Sequence, residues 1–166
     1  MYCKIWGMKK IVSIIFALFL VLSVYAQSAD VITDILDSDE ATFGQICYLS
    51  AVQMDLVDEN ASYDDAIQSL FDNSYIPEVA EADAAIPLAD MIFIYSHLWD
   101  IKGGFMFRLT KGSPRYAFRQ FQYDGIIDSD TDPSSTVSGA KALSIYTAAS
   151  RKYGEFDISE VSMEAE

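Results

Sequence analysis

The sequence predicts a mainly α fold: tandem helix–loop–helix units sharing one core, with one short β element between them. Three observations lead there. Apolar residues recur at spacings of three and four in five segments between Thr42 and Tyr153. The chain overlays on itself, without a gap, after a shift of 51 residues. Just after Gly103-Gly104, Phe105, Phe107 and Leu109 alternate with Met106, Arg108 and Thr110, the period of a strand following a hinge.

Taken in order, the chain opens with an export pattern. Lys9 and Lys10 precede an apolar core of 14 residues, Ile11 to Val24, and Val24-Tyr25-Ala26 has the form of a cleavage site. A membrane-crossing helix needs roughly 20 apolar residues, so residues 1–26 read as a signal starting at Met8 and cut after Ala26, with an uncleaved anchor as the alternative. Cleavage takes Lys4, Lys9 and Lys10 with it, leaving 8 basic residues against 25 acids, a balance of −17. Such a surface repels nucleic-acid phosphates and anionic headgroups, which argues against nucleic acid as a partner. No membrane span is expected after cleavage. Only Cys47 remains of the two cysteines, so no internal disulfide can staple the chain. On an apolar helical face it reads as a small buried hydrophobe, and otherwise as a reactive thiol.

Residues 27–40 form an acidic lead, and the helical body follows over 41–153. Thr42 caps a helix running to Met54, with Phe43, Ile46, Cys47 and Leu49 on its apolar spacings. DDAIQSLF puts Ala66, Ile67 and Leu70 on one face. Pro87 opens a helix reaching Trp99. Ser113 and Pro114 start the next, with Ala117, Phe118 and Phe121 inward. The last begins at Ser138 and stops before Gly154, with Arg151 and Lys152 suited to its C-terminal end. The acidic tail 154–166 closes the chain.

The self-alignment pairs Asp65–Leu98 with Tyr116–Ala149. Identical positions are Ala66/Ala117, Ile76/Ile127, Ala89/Ala140, Ile94/Ile145 and Tyr95/Tyr146. Each half reads helix, turn with Tyr75-Ile76 or Ile126-Ile127, acidic loop, isolated Ile86 or Val137, helix. This gives two units, about 41–100 and 101–153, and Thr42–Leu49 looks like a third copy of the second helix without its leading partner.

On these residues the chain resembles S-layer homology repeats. Ala117-Phe118 to Phe121, Gly125-Ile126-Ile127, the Asp128–Ser135 loop and Ser138-Gly139-Ala140-Lys141 follow the order of that motif. Ala66, Leu70, Tyr75-Ile76 and Pro87-Leu88-Ala89-Asp90 follow it in the other unit. The resemblance implies paired helices and an envelope-associated role. Neither unit has the Arg and Glu with which those repeats hold cell-wall polymer, so no polymer-binding residue carries over.

The candidate binding surface comes from charge. Lys102, Arg108, Lys111, Arg115 and Arg119 fall in a stretch with no acid between Asp100 and Asp124. Arg115 and Arg119 share a helix face, and the first-turn N–H groups and helix dipole add positive potential. Arg108, Lys111, Arg115, Tyr116 and Arg119 are therefore the expected site, for an anionic envelope polymer or an acidic protein partner, with Tyr123 a further contact. The competing reading is an internal clamp between two negative units. Asp128, Asp130 and Asp132 have the spacing of calcium-loop ligands, but Pro133 and Gly139 stand where that loop needs Gly and Glu, so a solvated acidic turn is expected and no metal. His97 is the sole histidine, and no nucleophile elbow or phosphate loop occurs. Phe93, Tyr95, Trp99, Phe105 and Phe107 read as core around the hinge, or as a partner patch. The expectation is an exported, non-enzymatic binding or anchoring protein without cofactor. The alternative is a structural subunit of a periplasmic or surface assembly, and a carboxylate hydrolase would need a concave pocket bearing two facing acids.

Overall fold

The computed structural model describes residues 31–101 and 113–154. The chain divides after Asp34. Of the first part, only residues 31–34 are described, and they are helical. The second part, Ile35–Glu166, opens with helical residues 35–37 and contains α1 (Phe43–Gln53), α2 (Tyr63–Asp72), α3 (Leu88–Leu98), α4 (Pro114–Tyr123) and α5 (Gly139–Tyr153). The protein is mainly α. Among the described residues, β structure is confined to an isolated antiparallel bridge between Thr42 and Ala85. The expected strand at 105–110, the export segment 1–26 and the tail beyond Gly154 lie outside the described residues. Helical residues in the acidic lead were not foreseen; in the second part, Ile35 is fully buried.

Local chemistry starts most of the helices. Thr42 and Gln45 form a capping box on α1, with the Gln45 N–H donating to Thr42 Oγ1 at 3.3 Å and the Thr42 N–H donating to Gln45 Oε1 at 3.1 Å. Ser62 and Asp65 repeat the device on α2. Ser138 caps α5 by accepting from the Lys141 N–H. Pro87 is the N-cap of α3 rather than its first helical residue, a shift of one position.

The helix ends are alike as well. Asp55, Ser74, Asp100 and Gly125, each one residue past the cap of α1, α2, α3 and α4, have positive φ. The following N–H groups of Leu56, Tyr75, Ile101 and Ile126 donate back to Ala51, Leu70, Ser96 and Phe121 carbonyls at 2.9, 2.9, 3.1 and 3.0 Å. These are Schellman ends, which favour glycine in the left-handed position. Ser74 holds φ 61° without that freedom. Ser74→Gly is expected to raise stability by about 0.5–1 kcal/mol, the strain a side chain carries there, and a urea melt checks it.

Three helix N-termini are tied head to tail by backbone hydrogen bonds. Phe43 and Gly44, opening α1, donate to Ala84 and Ala82 at 3.0 and 2.8 Å. Leu88 and Ala89, opening α3, donate to Ser135 and Pro133 at 2.8 and 2.9 Å. Gly139, opening α5, donates to Ser38 at 3.1 Å. Each helix start thus spends its orphan donors on the loop that leads into another, α1 to α3, α3 to α5, and α5 back to α1. Two more bonds run through the middle, Ile86 N–H to Ala41 and Ala41 N–H to Val137, at 2.9 and 2.8 Å.

Side chains fill the space below. The helix α1 packs on α2 and on α3, and α3 packs on α4. The α3–α4 packing crosses the expected unit boundary near residue 100, so the halves share a core. Buried faces agree with the helical periodicity: Ala66, Ile67 and Leu70 on α2, and Ala117, Phe118 and Phe121 on α4. The helix α1 departs from it. Gly44, Gln45, Ile46, Cys47, Tyr48, Ser50 and Ala51 are all buried, because neighbours cover it on several sides, while Phe43 and Leu49 are only half-buried. Of the residues paired by the 51-residue shift, Ala66/Ala117, Ile76/Ile127 and Ile94/Ile145 are buried in both halves. Tyr95 is buried and Tyr146 half-buried, whereas Ala89 and Ala140 lie nearer the surface.

Cys47 is wholly inside, and burial pushes its thiol up to about 12. A thiol so placed stays protonated at neutral pH. Cys47 is expected to resist a thiol-reactive dye in native buffer and to react fully in denaturant, which a colorimetric titration reads directly.

Candidate functional site

Of the expected basic strip, the residues that can be placed are on α4. Pro114 stands at its first position, and Ala117, Phe118 and Phe121 turn inward. Arg115, Arg119 and Gln122, at spacings of four and three, run along an adjoining edge. Both arginines are exposed.

The opposite wall is the loop after α4. Gly125 turns the chain in the left-handed region, and Ile127 inserts into the core. Gln122 Nε2 donates to the Asp128 and Ser129 carbonyls at 3.3 and 3.1 Å, holding the loop against the helix. Further on, Asp132 Oδ1 accepts from the Ser134 N–H at 2.9 Å and its hydroxyl at 2.7 Å, and these bonds hold the Asp132 carboxyl below its ordinary value. That turn presents the Pro133 and Ser135 carbonyls to the start of α3.

Between helix and loop lies an open groove of about 510 Å³. Arg115, Arg119 and Gln122 line one side, Thr131 and Pro133 the other, with Phe118 and Ala89 between them. No carboxylate is among the described lining residues. Neither guanidinium group has a hydrogen bond or ion pair to another described residue. A guanidinium in this state offers several donors to a carboxylate, phosphate or sulfate, and Phe118 gives the ligand an apolar surface.

Of the five residues expected from the sequence, Arg115 and Arg119 come together in this groove. Tyr116 is half-buried and does not line it. Arg108 and Lys111, like Lys102, lie outside the described residues. Tyr123 is 85% exposed at the end of α4. The expected help from the helix N-terminus is small. Pro114 has no N–H, and those of Tyr116 and Ala117 both donate to the Ser113 carbonyl, at 2.8 and 3.0 Å. The first turn therefore offers an anion at most the Arg115 N–H. Gln122, Thr131, Pro133 and Ala89 were not foreseen. The i+7 position of Gln122 from Arg115 was a usable signal; the loop residues gave none.

A smaller cavity of about 80 Å³ sits between α1, the 76–80 turn and α3, lined by Phe43, Ile76, Phe93 and Ile94 together with Glu78 and Asp90. Burial, then the Glu78 charge, raise the Asp90 carboxyl above its ordinary value. Two acids do meet in a concavity here, the condition set for a hydrolase. Its volume falls well short of the roughly 300–1,000 Å³ of small-molecule sites. His97 is half-buried between the Tyr75 and Phe93 rings, at 5.4 and 4.6 Å, and burial lowers its pKa against the pull of Asp100. Its Nε2 has no hydrogen-bond partner among the described residues. Asp128, Asp130 and Asp132 are exposed, and no group of three or more metal-ligating side chains converges among the described residues. Among those residues, too, no helix is long and apolar enough to cross a membrane.

Comparison with protein-family models, with curated proteins and with solved structures gave no match.

Proposed function

We propose that this chain is an exported, non-enzymatic protein that binds or anchors within the cell envelope, engaging an anionic polymer or an acidic partner through Arg115 and Arg119. The observation that carries the reading is the groove: two exposed guanidinium groups line it, no described carboxylate does, and neither guanidinium pairs with another described residue. An internal clamp needs partners for those arginines, and among the described residues they have none. Arg108 and Lys111 extend the strip in sequence.

The finer architecture we propose is a tandem of helix–loop–helix units of the S-layer homology type. In its favour are the Schellman ends at Ser74 and Gly125, 51 residues apart, the head-to-tail bonding of the α1, α3 and α5 starts, and the shared burial at paired positions. Residues 31–37 are then a short counterpart of the leading helices α2 and α4. The strand at 105–110 belongs to the same proposal, as does the export signal.

The test is binding of the chain to isolated envelope fractions across a salt series, beside Arg115→Glu/Arg119→Glu. Both positions are exposed, so the double variant is expected to melt within about 0.5 kcal/mol of the parent. Its binding should weaken at least about tenfold, the equivalent of one charge-assisted hydrogen bond. High salt should weaken the parent similarly. Equal binding by parent and variant would remove the groove from the function.

A further inference from the structure

We propose that the small cavity between α1, the 76–80 turn and α3 receives the end of a lysine side chain from a partner protein, its ammonium held by Glu78 and Asp90. This is a second site, opposite in charge to the arginine groove and sharing no described lining residue with it.

Size and lining choose the guest. Buried Ile76 and Ile94 and the half-buried rings of Phe43 and Phe93 make the apolar wall, while Glu78 and Asp90 supply charge. The cavity measures about 80 Å³. That is roughly half of the ~150 Å³ that admits benzene, so an unbranched chain enters and a ring does not. The wall accepts methylenes and the carboxylates accept a positive head. A lysine side chain brings both, a flexible apolar stem ending in a compact ammonium with three donors. The planar fork of arginine is broader and suits bidentate pairing with a single carboxylate. The formal charge of −14 adds a general attraction for a basic partner.

The fold does not require the two acids. The 51-residue shift pairs Ile76 and Ile94 with Ile127 and Ile145, and all four are buried. It pairs Glu78 and Asp90 with Ser129 and Lys141. The halves thus share the core positions and not the carboxylates. Asp90 stands in the first turn of α3, where an acid complements the helix dipole, yet no side chain caps that helix. The dipole gives no reason for Glu78. Neither carboxylate has a hydrogen bond or ion pair to another described residue. Burial, and then the Glu78 charge, raise the Asp90 carboxyl, so the pair is held against desolvation and its own repulsion. One shared cation relieves both. Two carboxylates also outweigh the roughly half positive charge of a helix start.

The test is an NMR titration of the chain, following the Phe43 and Phe93 ring signals and the Ile94 methyl signals. The probes are a capped Gly-Lys-Gly peptide and its norleucine counterpart, which lacks only the ammonium. The lysine peptide should give saturable shifts with a Kd of about 1–10 mM, the scale of a single side-chain contact. The norleucine peptide should bind at least about tenfold more weakly, the factor one charge-assisted hydrogen bond supplies. Glu78→Gln/Asp90→Asn keeps the side-chain shapes and should lose the same factor for the lysine peptide while melting with the parent. Equal binding of the two peptides would leave an apolar cavity and no ammonium site. Equal binding by parent and variant would remove the acids from the site, and no shift with either peptide overturns the proposal outright. A variant that melts well below the parent means that a cation of this chain already holds the acids. Shifts that grow with protein concentration before any peptide is added mean a cation of a second copy, and either result overturns the proposal.

Discussion

Gly139→Ala is expected to destabilise the fold by about 3 kcal/mol, seen as a fall of about 10 °C in a thermal melt followed by circular dichroism. On helix propensity alone the change should help, since alanine outranks glycine by about 1 kcal/mol inside a helix. Tertiary contact reverses the sign. A Cβ at Gly139 collides with the Ile35 carbonyl oxygen and Ser38 Oγ, and comes within 2.7 Å of the Ile35 carbonyl carbon. These are backbone and short side-chain atoms that cannot swing away. Residues 35–38 and the start of α5 must separate, which breaks the Gly139-to-Ser38 hydrogen bond closing the ring of helix starts. Gly125→Ala is the control. Gly125 has φ 72° but nothing within 4 Å of an added Cβ, so only conformational strain of about 1 kcal/mol is expected. Equal losses at the two positions would mean that close approach at Gly139 contributes nothing.

Tyr95→Ala is expected to cost about 4 kcal/mol, in the range for truncating a buried aromatic. Tyr95 has no exposed surface and forms a three-ring cluster with Trp99 and Tyr146, at 5.8 and 5.5 Å. It joins α3 to α5, and its loss leaves a cavity between elements that no disulfide holds together. Tyr95→Phe separates ring from hydroxyl. The hydroxyl reaches the Ala142 carbonyl only at 3.5 Å, the outer limit of a hydrogen bond, so this change should cost below about 1 kcal/mol. A comparable loss from both variants would assign the stabilisation to the hydroxyl and not to ring packing.

Local patterns were legible wherever a helix buries a single face. On α2 and α4 the inward residues expected from the spacing are those buried. Caps were legible for the same reason, since Thr42 and Ser138 act within three residues of themselves. Periodicity failed on α1, where polar Gln45 and Ser50 are buried among several neighbours. The candidate site divides along the same line. Arg115 and Arg119 could be put on one face from their spacing, but Thr131, Pro133 and Ala89 reach the groove only because the loop after α4 is tied to the start of α3.

By itself, then, the sequence determined a mainly helical chain, the spans of α1–α5 to within a residue or two, the inward faces of α2 and α4, and a cationic edge on α4. Each of these is set by interactions within about one helical turn, where side-chain type and spacing suffice. The tertiary structure alone decided which loop each helix start bonds to, which helix is enclosed, and that two arginines face a groove with no carboxylate among its described lining residues. Those outcomes depend on backbone groups from segments tens of residues apart, and every residue except proline carries the same backbone donor and acceptor.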